Sequence, residues 1–471
     1  MQRKISYIRK ILLSITIILF SFISLQVSAE ESGKIVNIRV SPDVLINEHF
    51  YGFGAETLPW LWTKENKEAG VNEEDIRLNL ERIKDMRLAI TRIFVPWETW
   101  NPSVDYKTFT WESDEMRSLY KILGLYQEME TKVILVTVDW LKDSPWKDTK
   151  ASAQVVLELL EYLIKDKGYS CIQFWSLTNE PELTYDWLEK LPFENYVQIH
   201  RLVRKGLEEK GLSVKIIASD EVWSREWFER SVQSLYGVAD IFSSHAYFYP
   251  HEIHLISDFF RERLNIIKKT SLTKKDIPFF LCEFGFRGSD FGACTNSLID
   301  DYEYGLYVAN LCIEALNSGV DAASLWCLHQ IRLIDAIDPE GGRMMRIGLW
   351  AFKDEDWRPF PILYLYRLFT RYIRSGSKVL KTEVSQPNIL KAACVEYNGK
   401  QSLFIINETS SSQMIVVDGL KTGTKIKRFI YAKSTVPTVG WEMTSPDKQI
   451  EVRGVLKDVI MPESVVLYTD F

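Results

Sequence analysis

Two short apolar runs that each lead into a glutamate carry the chemistry of this chain. The first is Trp175-Ser-Leu-Thr-Asn-Glu-Pro-Glu182 and the second is Phe279-Phe-Leu-Cys-Glu-Phe-Gly285. Such a run reads as a buried β-strand, with its glutamate where the strand meets the following loop. Two carboxylates delivered by separate strand ends are what glycosidic-bond cleavage requires. One protonates the leaving oxygen, and the other attacks the sugar or activates water. Glu180 and Glu283 are therefore the candidate catalytic pair.

The elements that must position them alternate in type. Strand patterns fall at 50–54, 89–95, 132–138, 172–178, 214–219, 241–245, 279–283 and 322–326. Amphipathic stretches of helical period lie between them, at 73–86, 115–129, 151–165, 194–210, 225–235, 251–268 and 300–317, and a last one follows at 362–373. Eight strands each followed by a helix predict an α/β chain with a (β/α)8 TIM barrel, whose catalytic groups sit at the carboxyl ends of the strands. Asn72 before Glu73, Glu74 and Asp75 gives the first helix a clear N-terminal signal. After Arg374 the texture changes to short strands separated by turns such as Asn398-Gly399 and Asp418-Gly419, which predicts a C-terminal antiparallel β-sandwich. The expected organisation is a signal peptide over 1–29, an N-terminal strand pairing with the sandwich over 30–46, the catalytic barrel over 47–374 and the sandwich over 375–471.

Polar and aromatic residues collect at the strand ends. Glu56 closes the first strand, with Trp60 and Trp62 following. Arg92 lies on the second, ahead of Trp97, Glu98 and Trp100. Asp139-Trp140 ends the third, Asn179-Glu180 the fourth, and Asp220-Glu221 with Trp223 the fifth. His245 and Tyr247 stand on the sixth, Glu283 on the seventh, and Trp326 on the eighth, with His329 and Gln330 behind. One rim lined this way reads as a sugar cleft, so Arg92, Asn179, His245, Tyr247, Trp326, Trp140 and Glu56 are candidate substrate-binding residues. Either His245 or Tyr247 could face the site.

Asn179-Glu180-Pro181 after the fourth strand, with Glu283 after the seventh, resembles glycoside hydrolase clan A, the retaining barrel glycosidases similar to families 5, 30, 39 and 51. The resemblance covers the barrel, and the appended sandwich is similar to that of families 30, 39 and 51. It implies that Glu180 is the acid/base and Glu283 the nucleophile. It also implies that Asn179 binds the sugar 2-hydroxyl, Arg92 keeps the nucleophile ionised, Tyr247 or His245 touches it, and Trp326 forms a sugar platform. The implied substrate is a β-linked glycan or oligosaccharide, with neither metal nor cofactor. Two other readings are a non-catalytic glycan-binding barrel and a metal-dependent barrel hydrolase. No His-x-His stands on the first strand to suggest the latter.

The rest of the chain sets limits. A net charge of -7 argues against nucleic acid, which needs a basic surface. Arg3, Lys4, Arg9 and Lys10 precede an apolar run at 11–25, and Val27-Ser28-Ala29 is a small-residue cleavage pattern. Together they read as a secretory signal peptide, which implies export to the periplasm or beyond the cell and no membrane span in the mature chain. The six cysteines show no C-x-x-C metal spacing, and most are expected to be free buried thiols.

Overall fold

The computed structural model describes residues 35–139, 145–183, 191–270, 277–292, 295–333, 343–344, 346–437, 440–441 and 445–471. The expected signal peptide, Trp140 and Cys294 lie outside the described residues. Among those described, no helix is long and apolar enough to cross a membrane.

The first strand, β1 (Val36–Phe50), belongs to the C-terminal sheet, and a turn at Gly52 feeds β2 (Gly52–Glu56). Gly52 has φ +116°, and a Cβ there would lie 2.2 Å from that of Ala89, so the turn needs glycine on both counts. Strands β2, β3 (Ile90–Pro96), β4 (Lys132–Val138), β5 (Ile172–Ser176), β6 (Lys215–Val222), β7 (Ile241–Phe248), β8 (Phe279–Phe286) and β9 (Ala322–Leu325) close into a parallel barrel. This is the expected (β/α)8 architecture. The strands expected to end at 219, 245 and 283 each run three residues further, so Asp220 and Tyr247 lie within strands and not in the loops beyond them.

Alternation along each strand divides the barrel into an inner and an outer face. Ile90, Phe94, Ile134, Val136, Phe174, Ile217, Ile241 and Phe280 form an interior core. Tyr51 plugs its lower end, with its ring against Phe174 and Phe280. The outward residues pack under the helices. The helix Glu73–Met86 starts as its sequence requires: the Asn72 side chain accepts from the amides of Glu74 and Asp75, and the Asp75 side chain accepts from the Asn72 amide in return.

A short ribbon, β10 (Arg332–Leu333) with β11 (Arg343–Met344), precedes the C-terminal domain. That domain comprises β12 (Ser377–Val384), β13 (Leu390–Tyr397), β14 (Lys400–Asn407), β15 (Gln413–Asp418), β16 (Lys425–Tyr431), β17 (Lys448–Glu451), β18 (Leu456–Ile460) and β19 (Ser464–Thr469). With β1 they form one nine-stranded sheet, antiparallel except where β1 runs parallel to β15. The sheet curls until its ends meet. Asp458 of β18 pairs with Arg428 of β16 at 2.8 Å and accepts from the Tyr468 hydroxyl of β19 at 2.7 Å. Its concave face holds a core of its own around Ile38, Cys394, Ile405 and Val466. Its other face packs on the barrel, where Phe404 stacks on Phe369 and Tyr431 on Tyr302, with ring centroids 4.2 and 4.8 Å apart. Cys171, Cys282, Cys312, Cys327 and Cys394 are buried free thiols.

Candidate active site

Arg92 is the centre of the site. It is fully buried on β3, and its guanidinium serves four acceptors. Nη1 donates to Glu283 at 2.9 Å and to Glu56 at 3.1 Å, while Nη2 donates to Asp220 and to the Asn179 side-chain oxygen, each at 2.8 Å. Below it the guanidinium lies over the Phe94 ring, 4.6 Å from the centroid. An arginine surrounded by carboxylates keeps its charge. Burial works against it, but Asp220, Glu56 and Glu283 outweigh burial and hold Arg92 well above its ordinary value.

Two irregularities aim the acids inward. In β8, Leu281 pairs with Ser244 and Glu283 with His245, so Cys282 is the extra residue of a bulge. Cys282 faces the barrel interior by alternation, and Glu283 would face out; the bulge turns it in. In β6, Ser219 pairs with Ser243 and Glu221 with Ser244, which makes Asp220 the extra residue. Ser219 and Asp220 both have positive φ, 79° and 52°. Glu180 also stands at positive φ, 46°, just past β5, and its amide donates to the Asp220 carbonyl at 3.0 Å. Strained backbone at three site residues is the kind of cost that functional sites carry.

The β7 side chains divide the two glutamates between them. Tyr247 donates its hydroxyl to Glu283, and His245 Nδ1 lies 3.0 Å from Glu180 Oε1. Tyr247 is thus the direct partner of Glu283, while His245 Nδ1 is 4.0 Å from it. The other ring nitrogen of His245 lies 3.2 Å from Asp220. Burial opposes a charged ring, but Asp220 and Glu283 push His245 up to about 10. At that value the ring is an imidazolium at neutral pH and donates to the carboxyl oxygens of both Asp220 and Glu180. Asp220, held well below the usual carboxylate range by Arg92 and His245 against the effect of burial, is their permanent counter-ion. Burial raises Glu283 above the ordinary value, and His245 and Arg92 act against that rise. Burial pushes Glu56 up to about 8 despite Arg92. An oxygen of Glu180, an oxygen of Glu283 and a nitrogen of His245 all lie within 4.8 Å of one another. Such a spacing fits a carboxylate pair working on one sugar carbon, since retaining pairs stand roughly 5–5.5 Å apart and inverting pairs roughly 6.5–9.5 Å.

These three residues are also the best-placed group for a metal ion among the described residues. Their chemistry does not suit one. A metal ligand must offer a lone pair, and both nitrogens of the His245 imidazolium are taken up in bonds to carboxylates. Arg92 already neutralises Glu283.

The remaining expected residues separate by burial. Trp326 stays partly exposed just beyond β9, with its ring 5.7 Å from that of Phe94, on which the Arg92 guanidinium lies. Trp60, Trp62, Trp97 and Trp100 are buried and build the loops; Trp97 packs against Trp100 and Trp146. Glu221 points out of the barrel, where it pairs with Arg263 at 3.1 Å. His329 is buried against Trp350 and lowered to about 4 by burial, which makes it a neutral packing residue. Sequence reading named Asp220 only as a possible sugar contact, and its bridging position escaped it. The one signal was Ser219-Asp220-Glu221, three polar residues in a row, which breaks strand alternation without saying which of them turns inward.

The fold is shared with solved glycoside hydrolases. A GH30 endoxylanase from Clostridium papyrosolvens superposes with a TM-score of 0.62 at 12% identity, covering 93% of this chain and 100% of that one. A glucosidase from Croceicoccus marinus gives 0.67 at 11%, covering 92% and 98%. A family 51 alpha-L-arabinofuranosidase from Bifidobacterium longum gives 0.65 at 14%, covering 93% and 99%. No protein-family model and no curated protein sequence matches the chain. The resemblance read from Asn179-Glu180-Pro181 and Glu283 therefore extends to the whole architecture, barrel and curled sheet together.

Proposed function

We propose that this protein is a retaining glycoside hydrolase that cleaves β-linked glycans or oligosaccharides by double displacement. The observation that carries this reading is the Glu180–Glu283 pair, brought within 4.8 Å inside one barrel mouth and each given its own partner. Glu283, tied to Arg92 and Tyr247, attacks the anomeric carbon while Glu180 gives its proton to the leaving oxygen. The ester that forms is then hydrolysed by water, with Glu180 acting as base. Asn179 has its oxygen occupied by Arg92, so its NH2 group is the end left to offer the sugar a hydrogen bond. Trp326 supplies an apolar face for the ring. Export through the segment at 1–29 agrees with a polymeric substrate met outside the cytoplasm.

The test is a product screen. Mature wild-type protein and Glu283→Ala are incubated with β-glucans, mannans, xylans, arabinans and aryl glycosides. The expected outcome is cleavage of at least one by wild type alone, with product lengths that separate endo from exo action. Tight binding of a glycan without turnover would replace this reading by a non-catalytic one. Loss of turnover on exhaustive chelation would contradict the metal-free mechanism.

A further inference from the structure

We infer that Asp220 is a positioning residue that couples the two catalytic glutamates, because its single carboxylate holds both Arg92, which serves Glu283, and His245, which serves Glu180. The inference rests on the reading of Glu180 and Glu283 as a catalytic pair. Oδ2 of Asp220 accepts from Arg92 at 2.8 Å and from Ser176 at 3.1 Å, and Oδ1 accepts from Ser243 at 3.0 Å and from His245 at 3.2 Å. All four positions on the carboxylate are filled, and the side chain is buried, with 1% of its surface exposed, too little to offer a sugar. Asp220 acts through its neighbours. Its backbone joins in as well, through the bond from the Glu180 amide to its carbonyl.

The arrangement matches the movement of charge in a double displacement. In the free enzyme the negative charge is on Glu283, beside Arg92. When the glycosyl ester forms and the proton leaves Glu180, that charge has passed to Glu180, beside His245. Two cations, one at each end of this transfer, share one fixed anion, so neither must be protonated or reoriented between the steps. The other titratable groups around this carboxylate and ring are Glu56 on β2, Tyr247 on β7, Cys282 on β8, and Tyr196 and His200 on the helix Phe193–Lys210. Burial keeps Tyr196, Tyr247 and Cys282 protonated and His200 neutral near pH 7. Of the two anions that raise His245, Asp220 is the larger influence and bonds the ring directly, while Glu283 stands 4.0 Å away.

Imidazole NMR of the full mature chain, labelled with 15N-histidine, tests this without any substrate. A His245→Asn spectrum assigns the signal. In wild type the His245 ring should stay doubly protonated through neutral pH and titrate near 10. In Asp220→Asn its titration should fall by about two units or more. A wild-type ring that titrates near the ordinary 6.5 would overturn the inference, and that arm does not depend on the variant folding. An unchanged titration in folded Asp220→Asn would overturn it equally. On an activated aryl glycoside that wild type cleaves, kcat/KM of Asp220→Asn should gain an alkaline limb at the new ring pKa. A uniform loss at every pH, with no new limb, would reduce Asp220 to a structural support. If wild type cleaves nothing, the glycosidase reading fails, and the NMR result still decides whether Asp220 holds His245.

Discussion

Arg92 can be shared by Glu283, Glu56, Asp220 and Asn179 because a guanidinium offers five donors in a plane, and a lysine in its place could not satisfy that set. The division of β7 between the two glutamates leads to separable expectations. Tyr247→Phe removes a hydrogen bond to a charged carboxylate, worth about 1.5–3 kcal/mol, so kcat/KM should fall roughly ten- to a hundredfold at unchanged fold. Glu180→Ala should lose about 10²–10⁴-fold on substrates with poor leaving groups and far less on activated aryl glycosides, which need no proton. Equal loss on both kinds would contradict the acid role. At this scale much was legible in the sequence. Asn179-Glu180 and Glu283 announced themselves by type and by their place after apolar runs. The choice between His245 and Tyr247 did not, because alternation sends both to the same face, and only the heights of Glu180 and Glu283 in the barrel decide which each one meets.

Strands supply the precision of the site, and their irregularities supply its aim. The eight strands and their helices follow from hydrophobic period alone, so the barrel was legible. The bulges at Asp220 and Cys282 were not, because an extra residue in a parallel ladder leaves no mark in a run that is apolar or polar throughout. Their consequence is that neighbouring acids take opposite roles, Asp220 inward and Glu221 outward. Glu221 should therefore matter for stability and not for substrate. Arg263→Ala strands a buried carboxylate and should cost about 3–5 kcal/mol in urea unfolding while the folded fraction keeps its KM. A raised KM at full stability would put Glu221 back in the cleft. The rim tryptophans could not be sorted from sequence for a related reason. A Trp in a loop reads as a sugar platform, but a large ring is also the cheapest way to fill the space under a long loop, and Trp97 and Trp100 do that.

Across the whole molecule, buried ionisable groups set how stability responds to pH. Glu56 and Glu182 are pushed up to about 8 by burial, and His245 to about 10 by its carboxylates. All three hold a proton in the folded state that the unfolded chain releases at lower pH, so each loses stability as pH rises. The window runs from the ordinary carboxylate value to about 8 for the glutamates, and from 6.5 to about 10 for His245. His200 and His329, lowered to about 4 by burial, work in the opposite sense between 4 and 6.5. Thermal midpoints should therefore change little over mildly acidic pH and fall steadily from about pH 6.5 upward, less steeply in Glu56→Gln. A midpoint that rises from pH 6.5 to 9 would contradict the charge states assigned to the site. The C-terminal domain was legible as short strands with turns, but not as one curled sheet, since closure depends on contacts such as Asp458 with Arg428 that no local pattern encodes. The most direct test of the account as a whole is covalent trapping. Wild-type protein is treated with a panel of 2-deoxy-2-fluoro-β-glycosyl fluorides, and the adduct is located by peptide mass spectrometry. The account predicts one sugar per chain, esterified to Glu283 and released again when an acceptor is added. A label on any other residue, or turnover of a natural substrate with inverted configuration and no adduct, would contradict it.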